Sequence, residues 1–452
     1  MERLLKAVEK NADFIKKSQD YLWTIPEPGY KEFKTNAYMM EQFERLGYVL
    51  KKPENITGFS TEIDTGRPGP TVAICAELDA LYSHGHPDTS KETGCVHACG
   101  HHVQCSAMLG IAAALKEEGV LDELCGKIRL IVVPAEEGIE ISYRLGLIKQ
   151  GIIEYSSGKP EFVKRGFFDG VDICYMVHAE NLERYKKGAI YHVGLGGNGV
   201  IRKTTIIKGK AAHAGGAPHL GVNALNAANF ALNAVNNLRE TFKDDDHIRF
   251  HSIITKGGSS VNVVPDEVII ESYVRGATSM ALKEANEKIN RAMASACAIF
   301  GATIEINDLA GSEPQTSDFN LRDLAYETMK EIAGEDKSSL NNEFLGSSTD
   351  MGDITQLFPG IHAYVGGMNG VLHSKDFYVI DQKASENSSK LQVGLLYNLL
   401  KDDAKNAKYI IANFTPTFKS IKEYLAHKES MSACINGVTY CENGDVVIKY
   451  KK

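Results

Sequence analysis

The segment VHACGHHVQC, residues 96–105, holds three histidines and two cysteines within ten residues. Imidazole nitrogens and cysteine thiolates are common ligands of zinc and of other divalent transition metals. A lone histidine is more often structural, so this segment needs support from elsewhere in the chain. Four further short stretches carry aspartate, glutamate or histidine. They are AELDA (76–80), PAEEG (134–138), VHAEN (177–181) and GVLHSKDF (370–377).

All of these stretches are predicted to lie where an apolar strand ends or just before a helix begins. In open α/β sheets, ligands bind at the carboxyl ends of the strands. No folding requirement places ligand-type side chains at so many strand ends together. The pattern therefore predicts a metal centre at one edge of a sheet.

The two adjacent glutamates of PAEEG indicate which chemistry such a centre would perform. A solvated loop would explain the pair equally simply, but this pair directly follows an apolar strand. One carboxylate could bind metal while its neighbour acts as general base on a metal-activated water. A catalytic metal lowers the pKa of its water to about 7 and polarises a scissile carbonyl. The interpretation is hydrolase chemistry.

The elements that would position these residues alternate along the chain. Apolar strands separated by helices predict a mostly parallel sheet with helices on both faces. The predicted elements are a helix over 1–23, strands over 71–81, 127–134 and 172–181, and a helix over 106–119 ended by Gly119.

The pattern changes after VGLGGNGV, residues 193–200. The order strand, helix, strand, strand, helix, strand over 197–310 is typical of a ferredoxin-like α+β sandwich. We predict an α/β fold: a catalytic domain formed by 1–196 and 311–452, and an inserted lid or dimerisation domain formed by 197–310. The end of the chain is predicted to be a helical extension followed by a hairpin turning at ENGD.

Composition excludes several other functions. The net charge is -8 and no long basic run occurs, which argues against a nucleic-acid partner. No apolar stretch of about 18 residues is present, so no membrane span is predicted. The nine scattered cysteines resemble a reduced thiol set. We expect a cytoplasmic protein acting on a small molecule.

The combined motifs resemble the family of metal-dependent amidohydrolases and aminopeptidases, which includes aminoacylases, hippurate hydrolases, auxin-conjugate hydrolases, aminobenzoyl-glutamate hydrolase and glutamate carboxypeptidase. The resemblance rests on HACGHH, PAEEG, AAHAGGAPHLGVNAL (211–225) and VNVVPDE (261–267), supported by WTIPEPGYKEFKT (23–35) and STDMGDITQLFPGIHAYVGG (348–367). It covers residues from about 10 to 400. GHHVQ departs from the GHD of the auxin-conjugate branch and places the chain nearer the aminobenzoyl-glutamate hydrolases.

The resemblance implies a two-metal site and a role for each residue in it. Two divalent ions per chain, zinc or manganese with cobalt as an alternative, would be bound by Cys99, His101, Glu137, His178 and His373. Glu136 would be the general base, and Asp79 would orient a ligand. His84, His86 and His97 are expected to be loop or supporting residues.

In the inserted domain the resemblance implies a homodimer. His213 would reach the partner's active site and donate a hydrogen bond to the scissile carbonyl oxygen, and Asn262 would lie at the substrate. Arg275 could pair with a substrate carboxylate, but a structural salt bridge is an equal alternative.

The predicted function is hydrolysis of the amide bond of N-acyl or N-aroyl amino acids, such as aminobenzoyl-glutamate or hippurate. One alternative is a dipeptidase or carboxypeptidase of the same fold acting on a short peptide. Another is a metal-binding homologue that has lost catalysis.

Overall fold

The computed structural model describes residues 1–83 and 85–451. The first part of the chain supplies six helices and eight strands to the described structure. The helices are α1 (Glu2–Lys10), α2 (Ala12–Trp23), α3 (Phe33–Arg45), α4 (His101–Ala114), α5 (Ile141–Lys149) and α6 (Gly158–Lys164). The strands are β1 (Phe59–Asp64), β2 (Thr71–Glu77), β3 (Leu81–Tyr82), β4 (Cys95–Val96), β5 (Lys127–Val133), β6 (Ile173–Ala179), β7 (Tyr191–Val193) and β8 (Gly196–Gly197).

A small α+β domain follows directly. Its elements are β9 (Gly199–Lys208), α7 (Ala224–Asn236), β10 (Arg249–Lys256), β11 (Glu267–Gly276), α8 (Ser279–Ile299) and β12 (Thr303–Ala310). The strands pair antiparallel in the order β10-β11-β9-β12. Buried apolar residues of β9, β11 and β12 pack with α7 and α8 on one face. The predicted ferredoxin-like order of elements is confirmed.

The remainder of the chain returns to the large sheet and then leaves it. Its helices are α9 (Phe319–Ala333), α10 (Met351–Thr355), α11 (Ala384–Asn413) and α12 (Ile421–Met431). Its strands are β13 (Gln315–Thr316), β14 (Ser338–Leu340), β15 (Phe344–Leu345), β16 (Gly360–Val365), β17 (Met368–Asn369), β18 (Tyr378–Val379), β19 (Ala433–Asn436), β20 (Val438–Tyr440) and β21 (Val446–Ile448).

The large sheet has seven strands in the order β1-β5-β2-β6-β16-β7-β14. Its four central strands, β5, β2, β6 and β16, run parallel, whereas β1 and β7 pair antiparallel with their neighbours β5 and β16. The carboxyl ends of the four central strands therefore meet at one edge. The α/β fold class is confirmed.

Both faces of this sheet are covered. Along β2, Val72 and Ile74 belong to one buried apolar cluster, while Ala73 and Cys75 belong to another on the opposite face. A strand buried on both sides must be apolar at every position, which explains the unbroken run TVAICA. The two clusters are closed by helices on each side of the sheet.

Two predicted helices differ in their bounds. The helix predicted over 1–23 is two helices separated at Asn11, and α11 is interrupted at residues 401–404, whose backbone angles are non-helical. The helix predicted over 106–119 begins at His101 and ends at Ala114. His101 therefore lies in the first turn of α4 and not in the loop before it. No helix in the described ranges is long and apolar enough to cross a membrane.

The tail, predicted as a helical extension of the catalytic domain, also contributes a strand to the small sheet. β19 pairs antiparallel with β12 and becomes the fifth strand of the small sheet. Before it, α12 buries Lys428, whose Nζ lies 2.8 Å from Asp353 Oδ1 of α10 and also donates to the Gly311 carbonyl. The extension thus contacts both domains. The predicted terminal hairpin is confirmed, because β20 and β21 pair antiparallel.

Candidate active site

The ligand-type side chains come together where the four central strands end. Three groups of metal-ligand atoms each lie within 4.8 Å of one another. They are Cys99 with His101 and His178, Cys99 with Glu137 and His373, and His101 with Glu136 and Glu137. All five predicted metal ligands and the predicted base therefore share one location, although they come from four separate stretches of the chain.

Cys99 lies at the centre of this cluster. Its Sγ is 3.5 Å from His178 Nε2 and 3.4 Å from His373 Nε2. His373 Nε2 is also 3.2 Å from Glu137 Oε1. The Nδ1 atom of His178 lies 2.7 Å from the Ala179 carbonyl oxygen, to which it donates. With its proton on Nδ1, the His178 ring has an unprotonated Nε2, whose lone pair can bind a metal ion.

Asp79 contacts both the turn that carries the two glutamates and the ring of His101. Its carboxylate accepts hydrogen bonds from the backbone N–H groups of Glu136, at 3.2 Å, and Glu137, at 2.9 Å. His101 Nδ1 lies 2.8 Å from the Asp79 carbonyl oxygen and 3.3 Å from its Oδ1. This contact directs the opposite ring nitrogen of His101 into the cluster. Asp79 thus has the geometry of the orienting residue that the resemblance implies.

Two backbone features place the ligands. Gly100 precedes α4 with φ of +83°, and a Cβ there would lie 2.7 Å from the Cβ of Ala179. Only glycine fits this turn, which explains the glycine between Cys99 and His101. Ala135 also has positive φ, 55°, and its N–H donates to Glu32 Oε1 at 2.7 Å. Such strain persists where the surroundings enforce it, here at the turn that carries the two glutamates.

A buried ion network adjoins the cluster and was not predicted from the sequence. Lys159 Nζ donates to both Glu77 and Asp350, and all three side chains are buried. Glu77 Oε2 lies 3.2 Å from His101 Nε2. Because the Lys159 ammonium already bridges Glu77 and Asp350, we interpret their proximity to Glu136 as part of an ion network and not as another metal site. Glu77 was detectable in AELDA, but the other two lie far away in sequence.

The pKa values of the two adjacent glutamates are shifted in opposite directions. Burial, followed by the charges of Glu77 and Glu137, raises the pKa of Glu136 well above its usual range. Burial also opposes ionisation of Glu137, but His373 and His101 outweigh it and lower its pKa to about 2.

The residues present fit a bound cation. His101 Nε2 and Glu137 Oε1 are buried and have no hydrogen bond of acceptable geometry among the described residues. An unsatisfied buried polar atom costs free energy, which coordination to a metal ion would recover. A thiol, imidazoles and a carboxylate form a donor set suited to zinc and to neighbouring transition metals.

A cavity of about 540 Å³ opens beside the cluster, between the edge of the large sheet and the small domain. Its volume is that of a site for a small organic ligand. Among others, Cys99, Glu136, Glu137, His178, His373, Arg202, His251, Tyr273 and Arg275 line it.

The chain is similar in sequence and in fold to several known proteins. A peptidase dimerisation domain matches residues 195–299. Thermostable carboxypeptidase 1 of Saccharolobus solfataricus is 27% identical over 82% of this chain and 90% of its own length. N-acetyl-L-cysteine deacetylase of Bacillus subtilis is 28% identical over 75% of this chain and 78% of its own. A Bacillus subtilis crystal structure described as a dinuclear metal binding peptidase from the M20 family superposes with a TM-score of 0.63. That structure is 22% identical and covers 87% of this chain and 99% of its own, and it supports the fold.

The chain thus contains an M20 peptidase dimerisation domain and is similar to a carboxypeptidase and to a deacetylase. These similarities confirm the predicted resemblance and the prediction that the chain is a metal-dependent hydrolase. The matched dimerisation domain covers the small domain from β9 to the end of α8 and stops before β12.

Within the small domain, His213 and Asn262 are neighbours but lie outside the cavity. Both are exposed, and the Ala214 N–H donates to the Asn262 carbonyl at 3.0 Å. Neither belongs to the described lining of the cavity in the same chain. The backbone N–H groups of Gly215 and Gly216 donate to His213 Nδ1 at 3.2 and 2.9 Å. The ring proton is therefore on Nε2, which can donate to a carbonyl oxygen.

Arg275 does line the cavity. Its Nε donates to His251 Nε2 at 3.2 Å, and no carboxylate oxygen of the described residues lies within 4.0 Å of its guanidinium. Among the described residues Arg275 therefore forms no salt bridge. The guanidinium stays available for a ligand.

Two of the histidines predicted to be loop or supporting residues, His86 and His97, do not join the cluster. His86 Nε2 lies 3.0 Å from the Phe377 carbonyl, and its Nδ1 accepts from the Asp88 N–H, so it organises its loop. His97 is buried beside His102, with ring centroids 5.3 Å apart. His84 lies outside the described residues.

Proposed function

We propose that this chain hydrolyses the amide bond of N-acyl or N-aroyl amino acids with the help of two divalent metal ions. One observation carries the proposal: five metal-ligand side chains and the carboxylate of Glu136 form one cluster, and all of them except His101 line the adjoining cavity. The name of the Bacillus subtilis relative, an N-acetyl-L-cysteine deacetylase, supports an N-acyl amino acid as substrate.

The two ions would be held by Cys99, His101, Glu137, His178 and His373. Zinc or manganese suits these donors, with cobalt as an alternative. When bound, such ions polarise a scissile carbonyl and make water a better nucleophile. The description of a structural relative as dinuclear supports two ions in place of one.

Glu136 is the proposed general base. Its side chain is half-buried and lines the cavity, while its backbone is held by Asp79. From this position the carboxylate can accept a proton from the attacking water and deliver it to the leaving amine. Arg275 would bind the carboxylate of the substrate, because a guanidinium matches carboxylate geometry and this one has no acidic partner.

We further propose that the enzyme is a homodimer in which His213 acts on the partner's cavity. The matched dimerisation domain supports this arrangement. β10 is an edge strand of the small sheet, and its Ile253 and Ile254 are exposed. Unpaired edges with apolar side chains favour association. In the dimer His213 Nε2 would donate to the scissile carbonyl oxygen, with Asn262 beside the substrate.

The proposed location is the cytoplasm, and the proposed partners are a small substrate and a second copy of the chain, without nucleic acid or membrane. All nine cysteines are free, and seven of them are buried. This distribution is typical of a reducing compartment.

A substrate panel tests the proposal after reconstitution with zinc, manganese or cobalt. We expect release of the amino acid from N-acetyl and N-benzoyl amino acids, measured by amine detection. Faster cleavage of plain dipeptides or of C-terminal residues would favour the alternative suggested by the carboxypeptidase relative. Metal binding without hydrolysis of any compound would indicate the non-catalytic alternative, which the retention of Glu136 beside all five ligands disfavours.

A further inference from the structure

Arg202 belongs to a row of side chains on the cavity face of the small sheet. In the strand register, Arg202 of β9 lies opposite Tyr273 of β11, which lies opposite His251 of β10. Arg275 is two residues beyond Tyr273 and thus on the same face. All four side chains line the cavity. The other face of this sheet packs on α7 and α8.

The environment of Arg202 leaves its charge without a partner. The residue is 3% exposed, and its Nη1 donates to Ser156 Oγ at 2.8 Å and Ser157 Oγ at 2.6 Å. Its Nε has no hydrogen-bond acceptor, and no described carboxylate oxygen lies within 4.0 Å. A guanidinium remains charged in proteins, and burying a charge without a counter-ion is costly.

A second guanidinium increases this cost. Arg144 is fully buried, and its described hydrogen bonds go to the carbonyl oxygens of residues 135, 137 and 156. Burial, followed by the charge of Arg144, lowers the pKa of Arg202. The position is therefore poor for a purely structural arginine and favourable for one that meets an anion from the ligand.

We propose that Arg202 binds a second carboxylate of the substrate, in addition to the one assigned to Arg275. The substrate class is then an N-acyl amino acid that carries two carboxylates. The second carboxylate belongs either to a dicarboxylic amino acid or to the acyl group. The inference rests on the proposed function, because it assumes that an amide substrate occupies this cavity.

Two matched pairs of compounds test the assignment and locate the second carboxylate. The first pair is N-benzoyl-L-glutamate and N-benzoyl-L-glutamine, and the second is N-succinyl-L-alanine and its terminal amide. Within each pair only one charge differs. We expect kcat/KM of the wild-type enzyme to favour the acid of one pair by about ten- to hundred-fold, the range of a hydrogen bond to a charged group.

Arg202→Gln should abolish this preference, mainly by lowering kcat/KM for the acid of the pair. Arg202→Lys should retain part of the preference. Arg291→Gln is the matched control, because Arg291 is an exposed arginine of α8, a helix on the opposite face of the small sheet from the cavity. It should leave the preference unchanged. Circular dichroism and thermal melting would establish that each variant is folded.

The assignment is overturned if the wild type treats both members of each pair equally, or if its preference survives in Arg202→Gln. An equal fall of kcat/KM for all four compounds in Arg202→Gln would also overturn the assignment. It would indicate that the substitution acts electrostatically on Glu136. If no compound is cleaved, the proposed function fails. Calorimetric binding of the first pair to Glu136→Gln and to Glu136→Gln with Arg202→Gln then still decides whether Arg202 recognises the second carboxylate.

Discussion

Replacing Asp79 by asparagine tests how the metal ligands are oriented. The Asp79 carboxylate uses its two oxygens to accept from the backbone N–H groups of Glu136 and Glu137, and it also faces His101 Nδ1. Asparagine has one acceptor oxygen, and its NH₂ group would face a donor. At least one contact is therefore lost and a donor–donor repulsion is introduced, while the side-chain volume is unchanged.

The expected consequence is weaker metal binding and not unfolding. Loss of a partner that orients a metal ligand typically costs 10–100-fold in metal affinity or activity. We expect the apparent dissociation constant of zinc, measured by competition with a chromogenic chelator, to rise by about this factor. The kcat at saturating metal should fall as well, because the turn carrying Glu136 is no longer held.

Asp172→Asn is the matched control. Asp172 also accepts a hydrogen bond from a backbone N–H, that of Thr71 at 2.8 Å, but at the opposite end of β2. This variant should lose some stability and keep metal affinity. Unchanged zinc affinity and kcat in Asp79→Asn would refute the orienting role. Equal losses of affinity in both variants would show that general destabilisation is the cause.

Four further predictions follow from the site and the tail. Glu136→Gln should keep its metal, by elemental analysis, but lose kcat by about 10²–10⁴-fold, because an amide cannot accept the proton; near wild-type turnover would place the base elsewhere. His213→Ala should lose about 10²–10³-fold in kcat, and mixing it with Glu136→Gln should restore activity, since the heterodimer contains one intact site; demonstrated heterodimers without recovery would exclude action across the dimer. Lys428→Met should lower the free energy of unfolding, measured by urea denaturation, by about 3–5 kcal/mol, since a buried carboxylate loses its cation. The matched variant Lys422→Met, at an exposed lysine, should change it by less than about 0.5 kcal/mol. Equal effects of the two variants would contradict a stabilising role for the buried salt bridge of Lys428. Burial opposes ionisation of Glu313, but its cationic and hydroxyl neighbours lower its pKa from 4.5 to about 2, so the stability that it contributes is present above pH 4.5 and lost towards pH 2. Glu313→Gln should therefore lose less stability than the wild type between pH 4.5 and pH 2. Parallel plots of unfolding free energy against pH for the two proteins would contradict this.

Local patterns in the sequence were sufficient for much of the fold. An apolar run with ligand residues at its end, as in KIRLIVVPAEE, predicts both a buried strand and the position of its functional loop. The strand that ends before Pro134 and the order of elements in the small domain were predicted for this reason. Residue types and motifs in the sequence also predicted which side chains are candidate metal ligands. Their assembly needs only that parallel strands end at a common edge.

The bounds of α4 illustrate where local patterns are insufficient. Apolar residues predict a helix from 106, but the helix starts at His101, because Gly100 adopts a left-handed turn against Ala179. That contact joins residues far apart in the chain. Which residue begins the helix was therefore decided by tertiary packing, and this choice places His101 in the cluster.

Long-range partners were decided only by the tertiary structure. Lys159 meets Asp350 across 191 residues, and β19 pairs with β12 although more than a hundred residues separate them. Arg202 reads in sequence as an ordinary strand residue, and only the cavity beside it shows that its charge has no acidic partner. Residue type and spacing determined which side chains could do chemistry, because these properties are local. Which charges are paired, buried or left for a ligand depends on contacts between distant segments, and the folded chain alone defines those contacts.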